Sequence, residues 1–251
     1  MGNKSKRLTQ VRAGRLVTAV IYTQASVTDE PAARAAKTKI SSEARKRLNH
    51  KASWQKLEAL LHANFRSGDL FVTLTYRDED LPGTREAALR CLEKFLAQLR
   101  ASREARGERL IYIKNVEHLR DDATEGRWHH HLVINATRAD YEEIRALWAR
   151  WGDNVDIEAL GDPRGFAARA QYLCKERQPN GARTWSCSRG LARPVRSSEL
   201  VDEALTLDAP PGAVILEKDQ KENGWGSYVY IKYILPEPRR KRKPDSRASF
   251  F

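Results

Sequence analysis

Two histidines separated by one residue, His129 and His131, stand at the head of an apolar run in the stretch WHHHLVIN. Imidazole nitrogens bind divalent cations, and two on the same side of a strand can converge on one ion. Alternate strand residues face opposite ways. Trp128, His130, Leu132 and Ile134 therefore share one face, and His129, His131 and Val133 the other. The ligand pair lies about 7 Å apart along the strand. His130 points away and is a poor ligand; its face is otherwise apolar and should meet helices. A third ligand stands at the end of IYIKNVE, where Glu117 closes a strand-like run, with His118 as the alternative. If the two runs form a hairpin, Glu117 lies beside the histidines. A carboxylate suits a hard cation such as Mg²⁺ or Mn²⁺. An HxH pair also occurs as plain surface or core residues, so the pair alone does not make a site.

Further along, AARAQYLCKER carries Tyr172 and Lys175, which at i and i+3 share one face of a helix. A tyrosine hydroxyl ionises only at a pH of about 10, and a neighbouring cation lowers the cost of the phenolate. A lysine one turn away suits that task, or the holding of a phosphate. YxxK is short and common, and an amphipathic helix with a half-buried tyrosine would also explain it. The combination says more than its parts. A cation on two histidines and a glutamate polarises a phosphodiester, and a tyrosine attacks it: metal-assisted transesterification at phosphorus.

These residues need elements to carry them. GRLVTAVIYTQ (14–24), DLFVTLTYR (69–77), RLIYIKNVE (109–117) and WHHHLVIN (128–135) read as strands. The stretch 29–65 reads as helical, and Thr84 caps a helix running to about Ala105. ADYEEIRALWARWG (139–152) and DPRGFAARAQYLCKERQ (162–178) are expected helices, with the short strand NVDIEAL between them. Of the remainder, GARTWSCSRGLARP reads as loop, SSELVDEAL as a short helix, and AVILEKD with SYVYIKYI as a closing β pair. The expected architecture is α+β, with helices on one face of a mainly antiparallel sheet and the other face open to a ligand.

Bulk properties narrow the partners. Of 251 residues, 45 are Lys or Arg and 33 Asp or Glu, giving a net charge of +12 that favours a polyanion. The three cysteines, Cys91, Cys174 and Cys187, have no CxxC spacing and read as reduced, mostly buried thiols. No apolar run approaches a membrane span of roughly 20 residues, and MGNKSKRLTQ has no secretory core, so a cytoplasmic protein is expected.

FVTLTY, WHHHLVI and YLCK stand in the order of the three motifs of the HUH endonucleases. The chain resembles in particular the rolling-circle replication initiators of phages and plasmids, notably those of small single-stranded DNA phages. WSCSRGLARP is also similar to a segment after the tyrosine helix in some filamentous-phage replication proteins, and the resemblance covers about Asp69 to Pro236. It implies a ferredoxin-like, RRM-like antiparallel sheet with the histidine pair on a central strand, extended N-terminally by helix. His129 and His131 would be the paired ligands, Glu117 the acidic one, Tyr172 the single nucleophile and Lys175 its companion. Thr73 and Thr75 fall in the first motif, near the site, as DNA contacts. The middle residue of the HUH motif is usually bulky and apolar; here it is His130. The implied activity is metal-dependent nicking and strand transfer through a 5′-phosphotyrosyl link, leaving a 3′-OH primer. Mg or Mn would serve as cofactor. Single-stranded or locally melted origin DNA would be the substrate, in a bacterial host supplying helicase and polymerase.

The expected layout is a basic flexible N-terminus over 1–12, an endonuclease domain over 13–236 and a basic tail over 237–251. The domain holds its core motifs in 69–178, and a strand and helical segment in 14–66. Arg239, Arg240, Lys241, Arg242 and Lys243 are candidate phosphate contacts, or a disordered end. The 29–65 segment either flanks DNA or is a solvated helical face. HUH relaxases and transposases share this chemistry. A non-catalytic RRM-like nucleic-acid-binding protein would use the same basic charge and open sheet. A two-histidine, one-carboxylate oxygenase would use the same three ligands but leaves Tyr172, Lys175 and the charge unexplained.

Overall fold

The computed structural model describes residues 6–23, 43–119, 125–175, 183–202, 204–223 and 226–237. In chain order its elements are β1 (Lys6–Ala13), β2 (Leu16–Thr23), α1 (Glu43–Asn64), β3 (Leu70–Thr75), α2 (Arg85–Ala105), β4 (Tyr112–Leu119), β5 (Glu125–Ile134), α3 (Asp140–Trp148), β6 (Val155–Ala159), a 3₁₀ turn (Pro163–Gly165), α4 (Phe166–Leu173), β7 (Trp185–Cys187), β8 (Val195–Val201), β9 (Val214–Asn223) and β10 (Gly226–Ile234). They fall into two compact units: an inner one in chain order, Glu30–Pro194, and an outer one, Met1–Asp29 with Val195–Phe251. The expected 13–236 domain spans both.

The inner unit is built on an antiparallel sheet of order β6-β3-β5-β4-β7. Strand alternation decides what covers each face. Leu70, Val72, Leu74, Val116, Leu132 and Ile134 pack against Leu92, Phe95, Leu96 and Leu99 of α2 and Ile144 and Trp148 of α3. Thr84 starts α2 as expected, its hydroxyl accepting from the Ala87 amide at 3.2 Å. On the opposite face, Phe71, Ile113 and Val133 pack with Leu57, Leu60 and Leu61 of α1 and Phe166, Ala170 and Leu173 of α4. The expectation of helices on one face is therefore corrected. Three apolar residues stand at one end of the histidine face, and burying them requires a second helical layer. The part of the helical expectation over 29–42 lies outside the described residues.

A buried pair fastens α2 to α3. Arg103 and Asp140, both fully buried, meet at 2.6 Å. Arg103 also donates to Asn135 just past β5, and Asp140 accepts from the Thr137 hydroxyl. Close to the site end of β3, Gly152 admits no side chain. A Cβ there would lie 1.9 Å from the Thr75 carbonyl oxygen, which already accepts from the Trp148 indole at 3.0 Å.

The outer unit is a second antiparallel sheet, of order β8-β1-β2-β10-β9. Residues 6–12, expected as part of a flexible N-terminus, belong to β1. That strand pairs with β2 on one side and β8 on the other, so its backbone groups are satisfied despite four charged or amide side chains. Gly14, at φ 56°, permits the two-residue turn into β2. The stretch SSELVDEAL, expected as a short helix, instead supplies most of β8, exposed along most of its length. Pairing with a strand distant in sequence overrides its local pattern. The closing β pair forms as expected, as β9 and β10. Val17, Ala19, Ile231 and Tyr233 make this unit's core.

No helix among the described residues is long and apolar enough to cross a membrane. The three cysteines are free thiols, of which only Cys174 is buried.

Candidate metal centre and nucleophile

The pairing of β5 with its two neighbours assembles the polar end of the inner sheet. Asn115, His131 and Thr73 form one cross-strand row, and Glu117, His129 and Thr75 the next. Glu117 Oε2 lies 2.8 Å from His131 Nε2 and 3.3 Å from His129 Nε2. The three ligand atoms all fall within 4.8 Å of one another. Glu117 and His131 are buried, while the His129 side chain is a quarter exposed. The site thus has one dry side and one open side.

Both imidazoles are held so that Nε2 faces inward. His129 Nδ1 lies 3.1 Å from the Arg127 carbonyl oxygen, which fixes that nitrogen as the donor. His131 Nδ1 lies 3.1 Å from the Thr73 hydroxyl. The carbonyl sets the His129 tautomer, and the Thr73 hydroxyl, able to donate or accept, orients the His131 ring. The donor set, two imidazole nitrogens and a carboxylate, fits a divalent cation. Burial opposes the Glu117 charge, but its bonds to His129, His131 and Lys175 outweigh that and hold the carboxyl far below the usual range. Burial lowers the His131 pKa despite the opposing pull of Glu117, which favours the neutral, ligating form.

Tyr172 comes to the same place. Its hydroxyl is 3.5 Å from His131 Nε2, and its ring meets the His131 ring edge-on at 5.1 Å. Lys175 Nζ sits 4.2 Å from the centre of the Tyr172 ring and 2.8 Å from Glu117 Oε1. The route differs from the expected helix face. α4 ends at Leu173 with Cys174 as its cap, so Lys175 lies beyond the helix and reaches back from a tight turn. Residues 176–178 of the expected helix lie outside the described ones.

Two further side chains hold this turn, and neither stands out in the sequence as a site residue. Asn115 donates its amide to the Leu173 carbonyl, and His50 Nε2, necessarily as donor, bonds the Cys174 carbonyl at 2.8 Å. Successive carbonyls at the end of α4, lying between Tyr172 and Lys175, are thus bound from β4 and from α1. The one signal for Asn115 is a polar residue two before Glu117 in an apolar strand. Nothing local marks His50.

The other candidates sort plainly. His130 is fully buried on the helix-covered face, its Nε2 2.7 Å from the Tyr76 hydroxyl. Since that hydroxyl donates to the Ala88 carbonyl, it accepts from His130, whose ring is neutral. Burial above all, with the neighbouring His129, Lys114 and His131, presses the His130 pKa down to about 3. His118 stacks on Trp128 with ring centroids 3.9 Å apart, and the metal-competent cluster contains Glu117 instead. Thr73 touches a candidate ligand directly, closer to the site than its motif position suggests. Thr75 stands beside His129. Arg239, Arg240, Lys241, Arg242 and Lys243 lie outside the described residues.

Residues 69–178 match the family model described as replication-associated protein ORF2/G2P. That stretch holds the whole cluster together with Tyr172 and Lys175, and its likeness supports a role in DNA replication. No curated protein and no solved structure matches the chain.

Proposed function

We propose that this chain initiates rolling-circle replication by nicking and rejoining one DNA strand at an origin, using the inner unit as an HUH-type endonuclease. The observation that carries the reading is the Tyr172 hydroxyl 3.5 Å from His131 in the Glu117, His129, His131 cluster. A central strand bearing the histidines, flanked by β3 and β4, agrees with the fold such enzymes use. Mg²⁺ or Mn²⁺ held by Glu117, His129 and His131 would withdraw charge from the scissile phosphate.

The chain's own groups do the rest. Tyr172 attacks phosphorus, its oxygen forming the new P–O bond as the 3′ oxygen of the preceding nucleotide leaves. The phenolic proton passes to water, and the departing oxygen takes one up to become a 3′-OH. Lys175 stabilises the phenolate as it forms. One phosphodiester replaces another, so a later 3′-OH can reverse the step without ATP. A host polymerase, with a helicase, would extend the primer in the cytoplasm.

The test is a 3′-labelled, randomised single-stranded DNA pool with Mn²⁺, resolved on a denaturing gel. The expected product is a label that migrates with protein and maps to Tyr172. Tyr172→Phe should bind the pool and carry no label; a labelled adduct in that variant would falsify the assignment.

A further inference from the structure

The outer sheet presents a face that the nicking chemistry does not use. Strand register places Tyr22 opposite Tyr228, with Arg7 beyond Tyr22 and Lys221 beyond Tyr228. One cross-strand row thus runs Arg7, Tyr22, Tyr228, Lys221. Tyr230, two residues along β10, points the same way. The opposite face carries Val17, Ala19, Ile231 and Tyr233 and is the unit's core. The tyrosine face is the wetter one: Tyr228 is 37% exposed, and Tyr22 and Tyr230 are part-exposed.

Three aromatic rings on a sheet, bordered by cations, form the arrangement on which unpaired bases stack while phosphates follow the charge. The Tyr228 and Tyr230 rings are within 4° of parallel, with centroids 6.4 Å apart. That spacing is near twice the rise of about 3.4 Å per nucleotide. Charge also sets a direction across the face. At the β9 edge, Asp219 pairs with Lys221 at 3.3 Å and Glu217 with Lys232 at 3.7 Å, which makes that edge unwelcoming to phosphate. On the other side stand Arg7 on β1, one strand in from the edge and opposite the exposed Leu200, and the exposed Arg196 on the β8 edge itself.

We propose that this face of the outer sheet is a second, non-catalytic binding surface for single-stranded DNA. Bases stack on Tyr22, Tyr228 and Tyr230, and the backbone runs along the Arg7 and Arg196 side. The proposal does not depend on the nicking reading.

The experiment uses the full chain and a fluorescein-labelled oligothymidylate followed by anisotropy. The double variant Tyr22→Leu, Tyr228→Leu should bind about 10- to 100-fold more weakly, and Tyr22→Phe, Tyr228→Phe should bind like the parent. Arg7→Gln with Arg196→Gln should lower the salt slope of binding by about two. A leucine variant with parental circular dichroism and parental affinity overturns the proposal. So does photo-crosslinking of the parent protein with a 5-iodouracil oligonucleotide, if no crosslink falls on these tyrosines. Adduct formation at saturating DNA, read in the same samples, should survive in the leucine variant. Weakened DNA binding with adduct chemistry retained at saturating DNA separates this surface from the Tyr172 site.

Discussion

Asn115 on β4 and Leu173 at the end of α4 are joined by a side-chain amide to carbonyl bond of 3.0 Å, buried from solvent. It ties the strand that carries Glu117 to the helix that carries Tyr172. Replacing Asn115 with Ala removes this partner of a buried carbonyl and loosens the helix that carries Tyr172, the proposed nucleophile. Small misplacements of this kind cost up to roughly 100-fold in rate. Single-turnover adduct formation by Asn115→Ala should fall about 10- to 100-fold, with DNA and Mn²⁺ affinities near parental. A parental rate would show that the clamp has no part in positioning Tyr172.

Thr73 bears on the candidate metal ligands rather than on Tyr172. Its hydroxyl fixes the His131 ring, and partners of this kind are worth about 10- to 100-fold in metal affinity. Thr73→Val keeps the shape and removes the bond. A Mn²⁺ titration followed by electron paramagnetic resonance should show weakening of that size, and no change would remove Thr73 from the site's support.

His130 makes stability depend on acid. Its folded pKa is about 3, below its ordinary value of 6.5. The unfolded chain therefore takes up a proton first as pH falls. His130's contribution is intact above pH about 6.5 and is lost progressively on the way to pH about 3, at up to about 1.4 kcal/mol per pH unit. Urea midpoints between neutral pH and pH about 4 should fall less steeply for His130→Met than for the parent. The Tyr76 hydroxyl keeps its bond to the Ala88 carbonyl in that variant. Parallel slopes for the two proteins would mean that His130 is not held neutral.

The Arg103–Asp140 pair offers a test of the helix layer. Removing one partner strands the other charge in a dry interior, a loss of about 3–5 kcal/mol. Arg103→Met should show it in chemical denaturation. Adding Asp140→Leu should recover part of the loss, and a double variant no more stable than the single would mean that the charges are not coupled.

Much of the site could be read from the alternation of one strand. Period two separates His129 and His131 from His130, and a hairpin brings Glu117 alongside; both hold because they follow from pleat and register alone. The same alternation puts Val133 on the histidine face, and a buried valine there already implies helices over that end. What could not be read was non-local. SSELVDEAL has local helical spacing, and only β1, from the other end of the chain, makes most of it a strand. Likewise Lys175 reaches Glu117 although its helix has already ended, because carbonyl partners on β4 and α1 decide where that helix stops.

The outer sheet interleaves strands from either side of the inner stretch, β1 and β2 with β8, β9 and β10. The inner unit is one continuous stretch between them. During synthesis the inner unit is complete before β8 to β10 have emerged, so it can collapse while the first hairpin waits unpaired. Closing the outer sheet then joins segments far apart in sequence, and long-range pairing of that kind is the slow part of folding. The outer sheet is therefore completed late, by β8 to β10. A chain released before β8 to β10 would carry the formed inner unit beside a β1–β2 hairpin open along both edges, a template for aggregation.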